Sequence, residues 1–241
     1  MCGIVTVLVG TEPVKFQVHT NLLTHHSEYF RKALNGPWKE ATERVVSIMD
    51  IEPCTCESHG INPIILFVNW TYTKQVPHSI LEWADIDTSS SYYLPALRLY
   101  ELIRAYAFGD RILAPDFCRA TSNVITKMLN GYVPSFGICD TLVQLAFSKL
   151  PQACVILQNL IDAYCANWNN NQRNYSLEVQ NRLPLDFHRR VSHKLYELGK
   201  MTDEEKGRQR CYFEHASDEE KGACPALHFR WDPEKGLGFF E

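Results

Sequence analysis

The feature that most narrows what this chain can fold into is a switch of hydrophobic period early in the sequence. Residues 4–9 (IVTVLV) and 14–18 (VKFQV) place β-branched side chains where a pleated, half-buried surface favours them. Between them "GTEP" supplies Gly10 and Pro13 as turn chemistry, so a hairpin is expected, with Val5 and Val7 in the core. Directly afterwards "HTNLLTHHSEYFRKALNG" follows a helical period in which Leu22, Leu23, Tyr29, Phe30 and Leu34 can share an inner face. Ser27 is placed to cap a second short helix and Asn35-Gly36 to end it.

"RVVSIMDI" reads as a third strand, and "NPIILFVNWTYT" as a nearly all-apolar helix with Pro63 tolerated in its first turn. Residues 74–93 turn polar and Ser-rich, with Glu82, Asp85 and Asp87, and read as a solvated excursion. Two helices follow, carrying Leu99, Leu102, Ile103 and Tyr106 at three- and four-residue spacing, with a break expected at Gly109-Asp110. Further helix is expected over 137–149, 153–168 and 184–198, and partial disorder beyond Gly199, where the chain is charged. This order predicts an α+β fold, a small sheet packed on a helical layer and followed by a helical extension. The expected division is 1–130, 131–200 and a charged, Cys/His-containing tail over 201–241.

At 241 residues and 45% apolar content the chain can bury a core without staples. Its net charge of -4 lacks the basic footprint that nucleic acid or an anionic membrane would want. No run approaches the roughly 20 apolar residues of a membrane span, and no secretory signal opens the sequence. An intracellular protein, nuclear or cytoplasmic, is therefore expected, its nine cysteines reduced. Cys118, Cys139, Cys154 and Cys165 are expected as small core residues.

One enzymatic alternative rests on the opening "MCGI", which resembles the glutamine amidotransferases whose exposed amino-terminal cysteine is the nucleophile. On that reading Cys2 is catalytic, with the free amine as its base. The further motifs of those enzymes are missing. There is no Arg-Gly pair, Asn35-Gly36 is followed by "PWKEA", and Asn130-Gly131 by "YVPSF".

A longer resemblance begins at "VKFQVHTNLLTHHSEYFRKALNGPWKEA", which is similar to the BTB (POZ) domain, particularly that of filamentous fungal proteins. The matching residues are Phe16 and His19 at the strand end, Leu22 and Leu23, Ser27 and Phe30, then Gly36, Trp38 and Glu40. "VVSIMDIEP", "FVNWTYT" and "LYELIRAYAFGDRIL" continue it in order over some 130 residues, and "LPLDFHRRVSHKL" resembles the extension of fungal members. The resemblance implies a non-enzymatic protein-interaction module that self-associates, serves as adaptor for a cullin-type ubiquitin ligase, or both. The implied cullin-facing surface draws on Phe67, Trp70 and Tyr72, on 74–93 and on the helix start near Leu97. Where the family often has an acidic residue before the first strand, this chain has Gly3 or Ile4. It also begins at the strand itself, which weakens the expectation of a strand-swapped dimer.

The matched residues read as scaffold. His19 is expected to satisfy buried backbone groups, Trp38 to anchor its loop by burial, and Glu40 to cap or hydrogen-bond there. His25 and His26, adjacent on a helix, do not share a face and make a poor metal pair. No cofactor is implied apart from a structural zinc as an open alternative to exposed thiols. Cys211, His215, Cys224 and His228 offer four ligands suited to tetrahedral Zn²⁺, and "CTCESH" (Cys54, Cys56, His59) is a weaker second grouping.

Overall fold

In the computed structural model, residues 3–11, 13–49, 63–76, 94–131, 138–166, 177–202, 210–224, 227–232 and 236–239 are described. The opening hairpin pairs β1 (Ile4–Val9) with β2 (Val14–His19) antiparallel, in a register that sets Val7 against Phe16 and Val9 against Val14. Gly10 turns the chain at φ 88°, a conformation that glycine adopts without the Cβ penalty. β3 (Val45–Ile48) lies on the other side of β1 and parallel to it, so the order is β2-β1-β3. Strand alternation sends Val5, Val7, Val9, Val18, Val46 and Ile48 inward, where all are buried, and leaves Lys15 and Gln17 exposed on the outer face.

Between β2 and β3 the chain forms three short helices, α1 (Thr20–His26), α2 (Glu28–Asn35) and α3 (Lys39–Glu43). Ser27 starts α2 as expected: its Oγ accepts from the Phe30 N–H at 3.2 Å. The same hydroxyl donates to the Ile112 carbonyl at 2.5 Å, so one buried residue caps a helix and ties down a distant turn. α3 ends on Arg44 at φ 57°, whose carbonyl accepts from the Thr6 N–H at 2.9 Å, delivering the chain into β3.

The chain divides into two compact units, Met1–Ser91 with Arg104–Thr121, and Tyr92–Ile103 with Ser122–Glu241. α4 (Pro63–Thr73) lies in the first; α5 (Leu94–Arg111) and α6 (Pro115–Gly131) each contribute to both. The core of the first unit is aromatic, with Phe30, Phe67 and Phe117 fully buried and Trp70 and Phe108 nearly so. The break expected at Gly109-Asp110 comes later: α5 runs on to Arg111 and the chain turns at Leu113, φ 53°. Gly109 is needed for a different reason. A Cβ there would stand 2.8 Å from Phe117 Cδ1 and 2.9 Å from Cys118 Sγ, so its absence lets the two helices approach.

The second unit adds α7 (Asp140–Lys149), α8 (Val155–Ala166), the short α9 (Leu177–Gln180) and α10 (Leu185–Lys200). Phe187 of α10 is fully buried, with its ring 4.9 Å from Tyr164 and 5.6 Å from Phe147. Beyond Gly199, where partial disorder was expected, a second sheet forms from β4 (Arg210–Cys211), β5 (Leu227–Asp232) and β6 (Gly236–Phe239), with α11 (Asp218–Ala223) before β5. The charged composition of this segment hid its strands.

Cys118, Cys154 and Cys165 are buried, as expected. Cys139 is only half-buried: it precedes α7 as its N-cap, with Sγ 3.3 Å from Thr141 Oγ1. No described helix is long and apolar enough to cross a membrane.

Candidate interaction surface and a Cys/His cluster

Of the four side chains expected at a partner-facing surface, Phe67 and Trp70 belong to the core. Phe67 is fully buried among Phe30, Phe108 and Phe117, at centroid distances of 6.3, 5.9 and 5.3 Å, and Trp70 is 5.5 Å from Phe117. A helix as uniformly apolar as α4 does not declare its inner face by pattern alone. Leu97 is half-buried on α5. Tyr72 does face solvent, 49% exposed at the end of α4. Its hydroxyl lies 2.6 Å from His19 Nδ1 and accepts from the His19 backbone N–H at 3.3 Å. His19 thus sits exposed at the end of β2 and bonds a tyrosine, rather than satisfying buried backbone.

The other matched residues divide by role. Leu23 and Phe30 are fully buried, while Phe16 and Leu22 are half-buried. Trp38 is 60% exposed, contrary to the expectation of burial. Its ring lies against Gly36, where a Cβ would come within 2.6 Å of Cδ1, which explains a glycine two residues before an aromatic. Glu40 lies half-buried in the first turn of α3, where a carboxylate is favoured by the helix dipole. Tyr29, expected on the inner face, is exposed instead, as is Leu113; the Glu28 N–H donates to the Leu113 carbonyl and the Tyr29 N–H to that of Ile112, so α2 is tied here to the turn after α5. On the sheet's outer face, Thr6, Leu8, Lys15, Gln17 and Val45 line an open hollow of about 580 Å³.

Beneath Tyr72, His26 packs edge-on to Trp70 at 4.8 Å, and the Lys74 ammonium contacts both the His26 ring and, at 4.7 Å, the Trp70 face. Burial first, then the charge of Lys74 and that of His25, hold His26 below its ordinary value of 6.5; Asp116 partly offsets them. The unfolded chain therefore takes up this proton at higher pH than the folded one. Stability tied to neutral His26 is complete above pH 6.5 and is lost as pH falls through the folded value. The stability that Glu28 draws from Lys32 and Arg31, which hold its carboxyl low, is complete above pH 4.5 and is lost only below it. Thermal scans between those limits should show a falling midpoint in the wild type and a flatter profile in His26→Gln; equal slopes would assign the change to other groups.

In the second unit three of the four sequence-nominated metal ligands converge. The ligand atoms of Cys211, His215 and Cys224 all lie within 4.8 Å of one another, with Cys211 Sγ 3.3 Å from His215 Nε2 and 3.8 Å from Cys224 Sγ. Cys211 is buried, and burial pushes its thiol up to about 11. The return of Cys224 is a local matter. Ser217 Oγ accepts from the Glu220 N–H at 3.2 Å, and Glu220 Oε2 accepts from the Ala216 N–H at 2.6 Å, starting α11 so that the chain folds back on itself. His228 lies on β5, its backbone paired with Cys211 in the parallel register. Cys2, Cys54, Cys56 and His59 lie outside the described residues.

What holds this cluster in place was not visible in the sequence. Asn123 of α6 clamps Glu214 at two points, Oδ1 accepting from its N–H at 2.9 Å and Nδ2 donating to its carbonyl at 3.2 Å. Thr126 Oγ1 donates to the Tyr212 carbonyl at 3.2 Å. The Tyr212 hydroxyl donates to Asp162, which also accepts from Lys194 Nζ at 2.8 Å and Gln158 Nε2 at 3.0 Å. The hint of this network in the sequence is Asp162, the one charged residue of the run "VILQNLIDAYCA".

No curated protein matches the sequence closely enough to count as a relative, so the Cys2 amidotransferase alternative gains no support. The family model of the BTB/POZ domain, a protein-interaction module, matches residues 4–102, so the stretch from β1 onward is similar to that domain.

Proposed function

We propose that this chain is a non-enzymatic adaptor whose BTB/POZ part binds other proteins, by self-association or by docking on a cullin-type ubiquitin-ligase scaffold. The observation that carries this reading is the Tyr72–His19 pair within the matched stretch. The tyrosine exposes half its ring while its hydroxyl is already held, the rigid amphipathic anchor that interfaces favour. In the second unit Leu185 and Tyr196, 72% and 63% exposed, fall on the same side of α10, eleven residues or about three turns apart. They offer a separate apolar contact for a further protein, such as a ligase substrate.

Two measurements on the full chain test the reading. Light scattering over a range of concentrations reports self-association, and capture of a purified cullin amino-terminal domain reports the scaffold role. Tyr72→Ala is expected to weaken whichever association is seen by about tenfold or more, the effect of losing an interface hot spot. A mass fixed at the monomer together with no cullin capture would sink the proposal.

A further inference from the structure

We propose that Cys211, His215 and Cys224 bind a structural zinc ion, with His228 as the fourth ligand. Around a tetrahedral zinc, with Zn–S about 2.3 Å and Zn–N about 2.0–2.1 Å, two sulfurs stand about 3.8 Å apart and a sulfur and a nitrogen about 3.6 Å apart. The corresponding separations here are 3.8 Å between the thiols and 3.3 Å between Cys211 Sγ and His215 Nε2. The sulfurs are far beyond the roughly 2.05 Å of a disulfide, and both cysteines are free. Two thiolates with imidazole select zinc over the hard cations calcium and magnesium, which prefer oxygen. His228 is added by residue type: its backbone on β5 pairs with that of Cys211 on β4 in the parallel register.

The segment also has a physical need for such a staple. Among the described residues of 210–224, Cys211 and Tyr212 alone are buried, too few for a core. Its stability must come from anchorage on the helices and from a cross-link. The Asn123 clamp and the Tyr212 contacts supply the first. A metal joining the residue after β4's start, the loop before α11, the residue after α11 and β5 would supply the second. The site is distinct from the Tyr72 surface and does not depend on what that surface binds.

The test uses the full chain, purified without chelator. Elemental analysis should find about one zinc per chain, and Cys211→Ser/Cys224→Ser less than about a tenth of that. Should that variant fail to fold, the wild type still decides. Chelator-stripped protein titrated with Co²⁺ should develop thiolate-to-metal charge transfer and the visible bands of tetrahedral cobalt. Added Zn²⁺ should also shield Cys211 and Cys224, but not Cys139, from alkylation. Zinc retained undiminished by the double variant, no cobalt spectrum, both thiols alkylated equally with and without zinc, or a Cys211–Cys224 disulfide in the native protein would each overturn the proposal.

Discussion

Phe67→Ala is expected to lower the stability of the first unit by about 3–5 kcal/mol, the cost of deleting a large aromatic from a core that cannot collapse around the gap. Phe67 is fully buried and touches three other phenylalanines across α2, α5 and α6, so truncation removes contacts on several sides at once. Urea unfolding of the full chain reads the effect. Tyr72→Ala, five residues along the same helix, serves as the control: it gives up only exposed hydrogen bonds to His19 and should cost about 0.5–1.5 kcal/mol. The two substitutions separate burial from surface. Were Phe67 a docking residue, as the family resemblance implied, its truncation would leave the unfolding midpoint near the wild-type value and abolish partner capture instead. A small change in stability for Phe67→Ala would therefore move the inner face of α4 and, with it, the assignment of Tyr72 as the outward-facing residue.

What the sequence made legible is what short-range physics decides. The hairpin, the two helices after it and the Ser27 cap depend on alternation, three- and four-residue spacing and one hydroxyl, all local, and each is found where expected. The helical extension follows the same logic to within a few residues. The misjudged positions depend on packing that periodicity and composition do not encode. Trp38 is exposed because its ring lies on Gly36 rather than in the core, and Gly109 serves Phe117 and Cys118 instead of breaking a helix. β4 pairs with β5 across α11 and β5 pairs with β6, and their charged flanks obscured the pattern. Cys211, His215 and Cys224 could be singled out by residue type and spacing, because chemistry of that kind is written in the ligands themselves. The groups that hold them could not: Asn123 and Glu214 are 91 residues apart, and Tyr212 and Asp162 are 50.

That supporting network predicts the second large effect. Asp162→Ala should destabilise the second unit by about 3–5 kcal/mol, because it strands a buried ammonium. The side chains of Lys194 and Asp162 are only 7% and 11% exposed, and the carboxylate is shared by Lys194, Gln158 and the Tyr212 hydroxyl. The cost is chiefly that of the charge left behind, which a second substitution can isolate. Replacing both partners, Asp162→Leu with Lys194→Met, should recover much of the loss, since a buried pair exchanged for apolar groups of similar volume is often close to neutral. Recovery should stop short of the wild type, because the Tyr212 hydroxyl and the Gln158 amide would lose the acceptor that Asp162 supplied, and a lost buried partner costs about 1–3 kcal/mol. Adding Tyr212→Phe to the double variant removes one of those two donors, so the triple variant should be more stable than the double one. Urea midpoints for the single, double and triple variants make this a ladder with a fixed order, single lowest and triple highest. If the double variant proved no more stable than Asp162→Ala, the stranded charge would not be the cause, and the loss would have to lie in packing between α8 and α10.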